Sequence, residues 1–348
     1  MQTTVPKTKL YEFAKCVTAI LVVIAHTTIM YTPVGAIPVA FQSAFLTRFT
    51  NYIYAFHMPL FVMLSGCIYG YGIEKGKYTK FFPFIKNKVK KLLIPYFAFG
   101  VLYVAPVMCI LGVTNDGYIK YIVSGIILSL NSRHLWYILA LFWIFLIFIL
   151  LRPLLTKGIC GLVIMGGISL VLWFGGSKIA PSLFQLPAAF NYQIFFFLGI
   201  LFNRFYESIV QLFRKFYAIG FVLPFLLMTM FIPELNFLKA YLYKGIGITM
   251  VLFFYKGIGI AMAMFFCWCL LRRFPAVIHN SVYGSVKQNA FGIYLFHPMI
   301  IYVLYHWLGQ YKFSPVFLSA FIWITATLLS VCATKLLRIL RLQLLIGE

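Results

Sequence analysis

The chain is a series of long apolar segments separated by short polar ones, and this pattern runs through all 348 residues. A helix needs roughly 20 apolar residues to cross a bilayer. The pattern therefore predicts an all-α, polytopic membrane protein with about ten transmembrane helices, in which residues 1–348 form a single domain. The predicted spans lie near residues 12–31, 51–72, 91–112, 135–152, 159–174, 188–205, 215–232, 246–271, 288–308 and 315–338.

Two places depart from this simple pattern. Residues 118–130 are apolar but too few to cross a bilayer, which predicts a re-entrant or interfacial helix. The sequence YKGIGI occurs at 243–248 and again at 255–260, and it leaves Lys256 inside the eighth predicted span. Two interpretations of Lys256 stay open. It faces a water-filled cavity or a carboxylate, or the helix starts late or tilts so that the ammonium group reaches the interface.

Composition excludes several classes of protein. The chain is 63% hydrophobic and 10% charged, with a mean hydropathy of +0.96, and no soluble domain of this size could bury so much apolar surface. A net charge of +23 would fit a nucleic-acid-binding protein, but the basic residues fall between apolar segments rather than in one patch, so we expect no nucleic acid partner. The cysteine spacing and the scarcity of acidic residues predict no metal site.

Basic residues alternate between successive connections. Most lie in the connections 75–91, 152–157, 204–215, 272–287 and 335–341. The positive-inside rule places these in the cytoplasm, which predicts an inner or plasma membrane protein with both termini cytoplasmic. No convincing small-x-small cleavage site follows the first apolar segment and further apolar segments do, which predicts that the first span is uncleaved. The connections expected on the outer side hold only Arg48, Lys120, Arg133, Lys178, Lys239, Lys244 and Lys312.

The first span contains a single imidazole, His26, in the segment FAKCVTAILVVIAHTTIM. A titratable side chain at membrane depth is costly and indicates function, and imidazole exchanges protons near neutral pH. Lys15 precedes it by eleven residues, about three helical turns or roughly 16 Å, so both side chains share one helix face. Glu12 lies three residues before Lys15 and predicts an ion pair with it at the inner end. A packed core histidine is the alternative interpretation of His26.

Six segments together carry a family resemblance. They are, in chain order, YEFAKCVTAILVVIAH, IYAFHMPLFVMLSGCIYG, FIKNKVKKLLIPY, HLWYILALFW, FFFLGIL and FGIYLFHP. As an ordered set they resemble the acyltransferase 3 family of integral membrane O-acyltransferases, in its short form without an appended esterase-like domain. Glu12, Lys15 and His26 stand at the acidic, arginine and histidine positions of the family's first helix. Lysine in place of arginine keeps the charge but loses the bidentate fork.

The resemblance implies transfer of an acyl group, most often acetyl, from cytoplasmic acyl-CoA to a hydroxyl of an extracytoplasmic or lipid-linked glycan. The partners expected are acyl-CoA as co-substrate, a glycan or glycolipid acceptor and membrane lipids, with no tightly bound cofactor. Catalysis is expected from His26, Glu12 and Lys15. His26 then acts as the general base on the acceptor hydroxyl, or alternatively carries the acyl group itself.

Seven lysines in residues 75–91 offer a site for the phosphates of CoA. An equal alternative is that they fix the topology and bind anionic lipid headgroups. The residues expected to bind the donor are Lys15, Lys86, Lys88, Lys90 and Lys91.

Five further residues are candidates for binding the acceptor. His57 and His297 lie within predicted spans, and Arg133 and His134 lie at the outer start of another, followed by Trp136, which could stack on a sugar together with Tyr137. Interfacial anchoring is the alternative for His134 and for the aromatic residues.

Two other functions stay open at this point. A polysaccharide exporter is the main alternative, but a transporter is expected to show inverted repeats and broken helices in two halves. The YKGIGI duplication is parallel and local, and therefore argues against transport. A lipid scaffold or sensor would not require a titratable residue on the same helix face as Lys15.

Overall fold

The computed structural model describes residues 5–176, 178, 180–219 and 246–348, with the backbone alone for 246–252. Within these residues the chain forms helices and no strand. The α-helices are α1 (Lys7–Thr28), α2 (Ala44–Glu74), α3 (Phe81–Ile110), α4 (Tyr118–Ile127), α5 (Arg133–Leu150), α6 (Arg152–Leu155), α7 (Gly158–Gly176), α8 (Leu186–Arg204), α9 (Tyr206–Lys215), α10 (Ile246–Arg273), α11 (Ser281–Leu308) and α12 (Pro315–Ile339). Short 3₁₀ turns cover Ile29–Tyr31, Tyr217–Ile219, Pro275–His279 and Gln343–Ile346.

Nine of the helices in the described part of the chain are long and apolar enough to cross a membrane, and they correspond to nine of the predicted spans. The predicted span 215–232 lies largely outside the described residues, and Lys239, Lys244 and the first half of the first YKGIGI copy lie outside them altogether. The short helix predicted within 118–130 is confirmed as α4. At ten residues it is about 15 Å long, too short to cross a bilayer.

Helix α2 is longer than predicted because Ser43 caps it well before the apolar segment begins. The Ser43 hydroxyl accepts a hydrogen bond from the Leu46 amide, and the helix then continues for 31 residues. The first turns of α2, which include Arg48, therefore precede the predicted span.

Contacts between helix ends bring four helix termini to one end of the molecule. The Lys7 ammonium donates to Glu74 and to the Asn203 carbonyl, which brings the start of α1 to the ends of α2 and α8. Lys287 donates to Glu12 and so adds the start of α11. We call this end of the molecule, which also includes Lys86–Lys91 at the start of α3, the basic end. Its cytoplasmic location stays a prediction.

Helices α2 and α8 pack closely because glycines lie at their contact. A Cβ atom on Gly66 would lie 2.0 Å from the Phe196 carbonyl oxygen, and one on Gly199 would lie 2.0 Å from that of Met63. Small residues of this kind let helix backbones approach each other in membrane proteins. This contact fixes the position of α2, which carries His57, against α8.

Candidate active site

A cavity of about 300 Å³ lies among α1, α2, α5 and α11, away from the basic end. We call it the histidine cavity. Its wall contains His26, His57, Arg133, His134 and Trp136, all of which the sequence analysis singled out. The other lining residues are Val22, Ile29, Met30, Val34, Ala36, Tyr54, Met58, Tyr192, Tyr294, Pro298 and Tyr302.

His297 is buried beside this wall. Its ring centroid lies 5.0 Å from that of His26 and 6.0 Å from that of His134, in edge-to-face contacts. The next residue, Pro298, has no amide hydrogen, so the carbonyl of Tyr294 receives no helical hydrogen bond there. The structure therefore brings together the predicted base and all five predicted acceptor-binding residues.

Backbone contacts fix the tautomers of these imidazoles. The Nδ1 atom of His26 lies 2.9 Å from the Val22 carbonyl oxygen. Because a carbonyl only accepts, Nδ1 carries the proton and Nε2 keeps a lone pair. His57 and His297 donate in the same way to the carbonyl four residues before each, at 2.8 Å and 2.7 Å. His26 can therefore take a proton at Nε2.

His134 uses its other ring nitrogen, Nε2, for the backbone contact. Its Nε2 lies 3.2 Å from the Leu295 carbonyl oxygen, and its buried Nδ1 has no partner within the described residues. The Nε2 of His297 is likewise buried and unpartnered there. Among the residues that the structure describes, no three His, Cys, Asp or Glu side chains are placed to hold a metal ion. The cluster is thus a set of proton and hydrogen-bond acceptors.

Four tyrosines that the sequence analysis missed line the cavity, and two of them, Tyr54 and Tyr294, share a sequence pattern. Tyr54 precedes His57 by three residues, and Tyr294 precedes His297 by three. The signal that could have revealed them is a repeated pentapeptide, IYAFH at 53–57 and IYLFH at 293–297. Three residues along a helix place two side chains on one face, so each copy brings a phenol and an imidazole to the same region. The Tyr54 and His57 ring centroids are 4.8 Å apart.

A smaller cavity of about 130 Å³ lies closer to the basic end, and we call it the lysine cavity. Lys15, Ser65 and Tyr137 line it among mostly apolar residues. Tyr294 lines both cavities, and its hydroxyl donates to the backbone carbonyl of His134. One tyrosine therefore stands between the region of Lys15 and the region of His26.

The predicted ion pair between Glu12 and Lys15 is wrong. Glu12 instead accepts a hydrogen bond of 2.7 Å from Lys287, which projects from α11. Spacing along one helix identified only the local neighbour of Glu12, whereas packing of a distant helix supplied a closer cation. Glu12 is exposed at the basic end, outside both cavities, and Lys15 is left facing the lysine cavity.

Three of the five predicted donor-binding lysines lie close together, and one of them, Lys15, lines the lysine cavity. Lys15, Lys88 and Lys91 lie within electrostatic range of one another. The Lys88 ammonium lies 3.5 Å from the centroid of the Phe145 ring, a cation–π contact. Lys86 and Lys90 are exposed. Among the ion pairs of the described residues, none involves these five lysines.

Comparison with known proteins identifies the family to which the chain belongs. No curated protein and no solved structure gives a significant match to the chain. The acyltransferase 3 family, described as "Acyltransferase domain", matches residues 11–337, which contain both cavities and nearly all of the chain. Together with the long apolar helices, this match establishes that the chain belongs to the acyltransferase 3 family and is a multi-pass membrane acyltransferase.

Proposed function

We propose that this enzyme transfers an acyl group, most often acetyl, from cytoplasmic acyl-CoA to a hydroxyl of an extracytoplasmic or lipid-linked glycan. The observation that carries the proposal is the position of Tyr294, which borders both the lysine cavity and the histidine cavity. The donor enters from one cavity and the acceptor from the other, and the two substrates meet beside this residue.

The positive charge at the lysine cavity supports the proposal that acyl-CoA, the acyl donor, binds there. Lys15, Lys88 and Lys91 form a cation cluster that no described carboxylate neutralises by a salt bridge. The phosphates of CoA are suitable counter-ions, because charge-assisted hydrogen bonds are about twice as strong as neutral ones. Helix α1 is continuous from Lys7 to Thr28, so Lys15 and His26 are roughly 16 Å apart along it. An extended pantetheine arm spans a distance of this kind, which places the thioester near His26.

His26 acts as the general base. Its Nε2 lone pair takes the proton of the acceptor hydroxyl while that oxygen attacks the thioester carbonyl carbon. The new C–O bond gives a tetrahedral intermediate. When the C–S bond breaks, the thiolate of CoA leaves and receives the proton from His26. The acyl group thus changes sides of the membrane while CoA remains on the cytoplasmic side.

The test uses purified protein in nanodiscs with radiolabelled acetyl-CoA and an envelope glycan fraction. A general base contributes about 10²- to 10⁴-fold to a rate, so His26→Ala should lower label transfer at least about 100-fold. His306→Ala is the matched control, because His306 is exposed and lies outside both cavities.

Three results would count against parts of the proposal. No release of CoA by the wild type with any acceptor would overturn acyl transfer from CoA and favour glycan export. Full activity of folded His26→Ala would show that His26 is not the general base. Label that stays on the wild-type protein after an acid quench, and is lost in His26→Ala, would replace the base by an acyl-histidine.

A further inference from the structure

The histidine cavity contains one fixed charge. Of its described lining residues, Arg133 alone carries a permanent charge, and the others are histidine, tyrosine, tryptophan or apolar residues. Arg133 is partly buried, lies beside the Tyr121 phenol, and its buried Nε has no hydrogen-bond partner within the described residues. A guanidinium that is partly removed from water and has no anion beside it gains from binding one.

The described acidic residues are all engaged or located elsewhere. Glu12, Glu74 and Glu348 form salt bridges with Lys287, Lys7 and Arg338, and these pairs lie at the basic end. Asp116 pairs with Lys120 four residues later, and Glu207 is exposed on α9, which follows the basic end of α8. No described carboxylate therefore neutralises Arg133, and an anionic ligand would supply the counter-ion that the described residues lack.

The backbone is strained where it presents Arg133. Its φ angle is +49°, a left-handed conformation that non-glycine residues rarely adopt, and Ser129 has a φ of +57° four residues earlier. A hydrogen bond of 2.9 Å between the hydroxyls of Ser129 and Ser132 holds this turn. Strain of this kind persists at sites where a side chain must point in a set direction.

Arg133 also begins α5, an 18-residue helix. The positive pole of a helix dipole lies at its N-terminus and favours an anion at the same place as the guanidinium. Nearby, Nδ1 of His134 and Nε2 of His26 offer lone pairs, which match hydroxyl donors. The cavity therefore favours a ligand that carries hydroxyl groups and one oxyanion.

We infer that the acceptor is an acidic sugar, a glycan unit whose carboxylate or phosphate is bound by Arg133 while one of its hydroxyls reaches His26. This inference rests on the proposed function and narrows its acceptor from glycans in general to anionic glycans. Arg133 then selects the acceptor by charge and fixes which hydroxyl faces the base.

The test measures binding and transfer separately. Isothermal titration in nanodiscs compares a glucuronoside with its uncharged methyl ester, and a glucoside 6-phosphate with the parent glucoside. Wild type should bind at least one charged compound at least about tenfold more tightly than its neutral partner. The carboxylate and phosphate arms show which oxyanion the site prefers.

Variants assign the preference to Arg133. Arg133→Gln should bring the charged-to-neutral affinity ratio close to one, and Arg133→Lys should retain part of it because lysine keeps the charge without the fork. Arg48→Gln removes an exposed cation near the start of α2, outside the cavity, and should keep the wild-type ratio.

Equal binding of charged and neutral compounds by wild type, or no binding of either, would overturn the inference. So would an unchanged ratio in folded Arg133→Gln. Charge-selective binding without any CoA release would leave Arg133 as the site for an anionic sugar and remove the acyltransfer reaction proposed for CoA, so the two failures are distinguishable.

Discussion

The rings of His26 and His297 meet edge to face, with centroids 5.0 Å apart, although the two residues lie on the first and the second-last long helices. His297 touches the base without lining the histidine cavity itself. We therefore assign His297 as a positioning residue that fixes the plane of the His26 ring.

Replacing His297 should change the rate more than the binding of either substrate. His297→Ala leaves a gap beside His26, and a shift of about 1 Å in a reacting group can cost about 100-fold. We expect kcat to fall at least about tenfold with little change in KM, measured by label transfer from acetyl-CoA. His297→Phe fills the gap and should recover part of kcat, whereas equal losses in both variants would argue against positioning.

Replacing Lys15 should weaken donor binding. Lys15→Gln removes one charge from the cluster at the lysine cavity, and we expect KM for acetyl-CoA to rise about tenfold, with the increase disappearing at high salt. Lys157→Gln removes an exposed lysine from the connection between α6 and α7 and serves as the control. An unchanged KM in Lys15→Gln would assign the lysines to lipid headgroups instead.

The α2–α8 contact should not tolerate a methyl group. In Gly66→Ala the new Cβ would meet the Phe196 carbonyl at 2.0 Å, so one backbone must move. Overpacking of this kind costs about 1–3 kcal/mol, which should lower the midpoint of thermal unfolding in detergent. Gly167→Ala adds a methyl group where no atom lies within 4 Å, and it should leave the midpoint nearly unchanged.

A carboxylate beyond the last helix should make stability depend on pH. Two hydrogen bonds from Arg338 hold the pKa of Glu348 below its usual range. A lowered pKa contributes stability above the unfolded-state pKa and loses it as pH falls through the folded-state pKa. Thermal midpoints measured from pH 6 to pH 3 should therefore fall less in Glu348→Gln than in wild type. Glu207→Gln is the control, and identical profiles for wild type and Glu348→Gln would contradict the prediction.

Local patterns in the sequence predicted the spans and the first-helix residues. Apolar length predicts the nine long helices of the described residues, and the spacing of Lys15 and His26 holds because α1 is continuous through both. The partners of these residues could not be predicted in the same way. The Glu12–Lys287 pair and the His26–His297 contact join α1 to α11, and only the packing of the folded chain brings those helices together.

Other features of the site depend on backbone geometry that no single residue reveals. Arg133 was singled out by its position at a helix start, but its left-handed φ and its isolation from every described carboxylate became visible only in the structure. Tyr54 and Tyr294 could have been found from the repeated IYAFH and IYLFH segments. The repeat was overlooked because aromatic residues are common in membrane helices, where they often mark the interface.

The shared position of Tyr294 has a consequence for the membrane as an electrical barrier. Tyr294 lines a cavity on either side of it, so we expect that a smaller side chain at this position would join the two cavities and let water and ions leak across the membrane. On this expectation, the bulk of Tyr294 keeps the membrane sealed against ions. Selection on this residue would act through the cell's energy supply even when the glycan is dispensable.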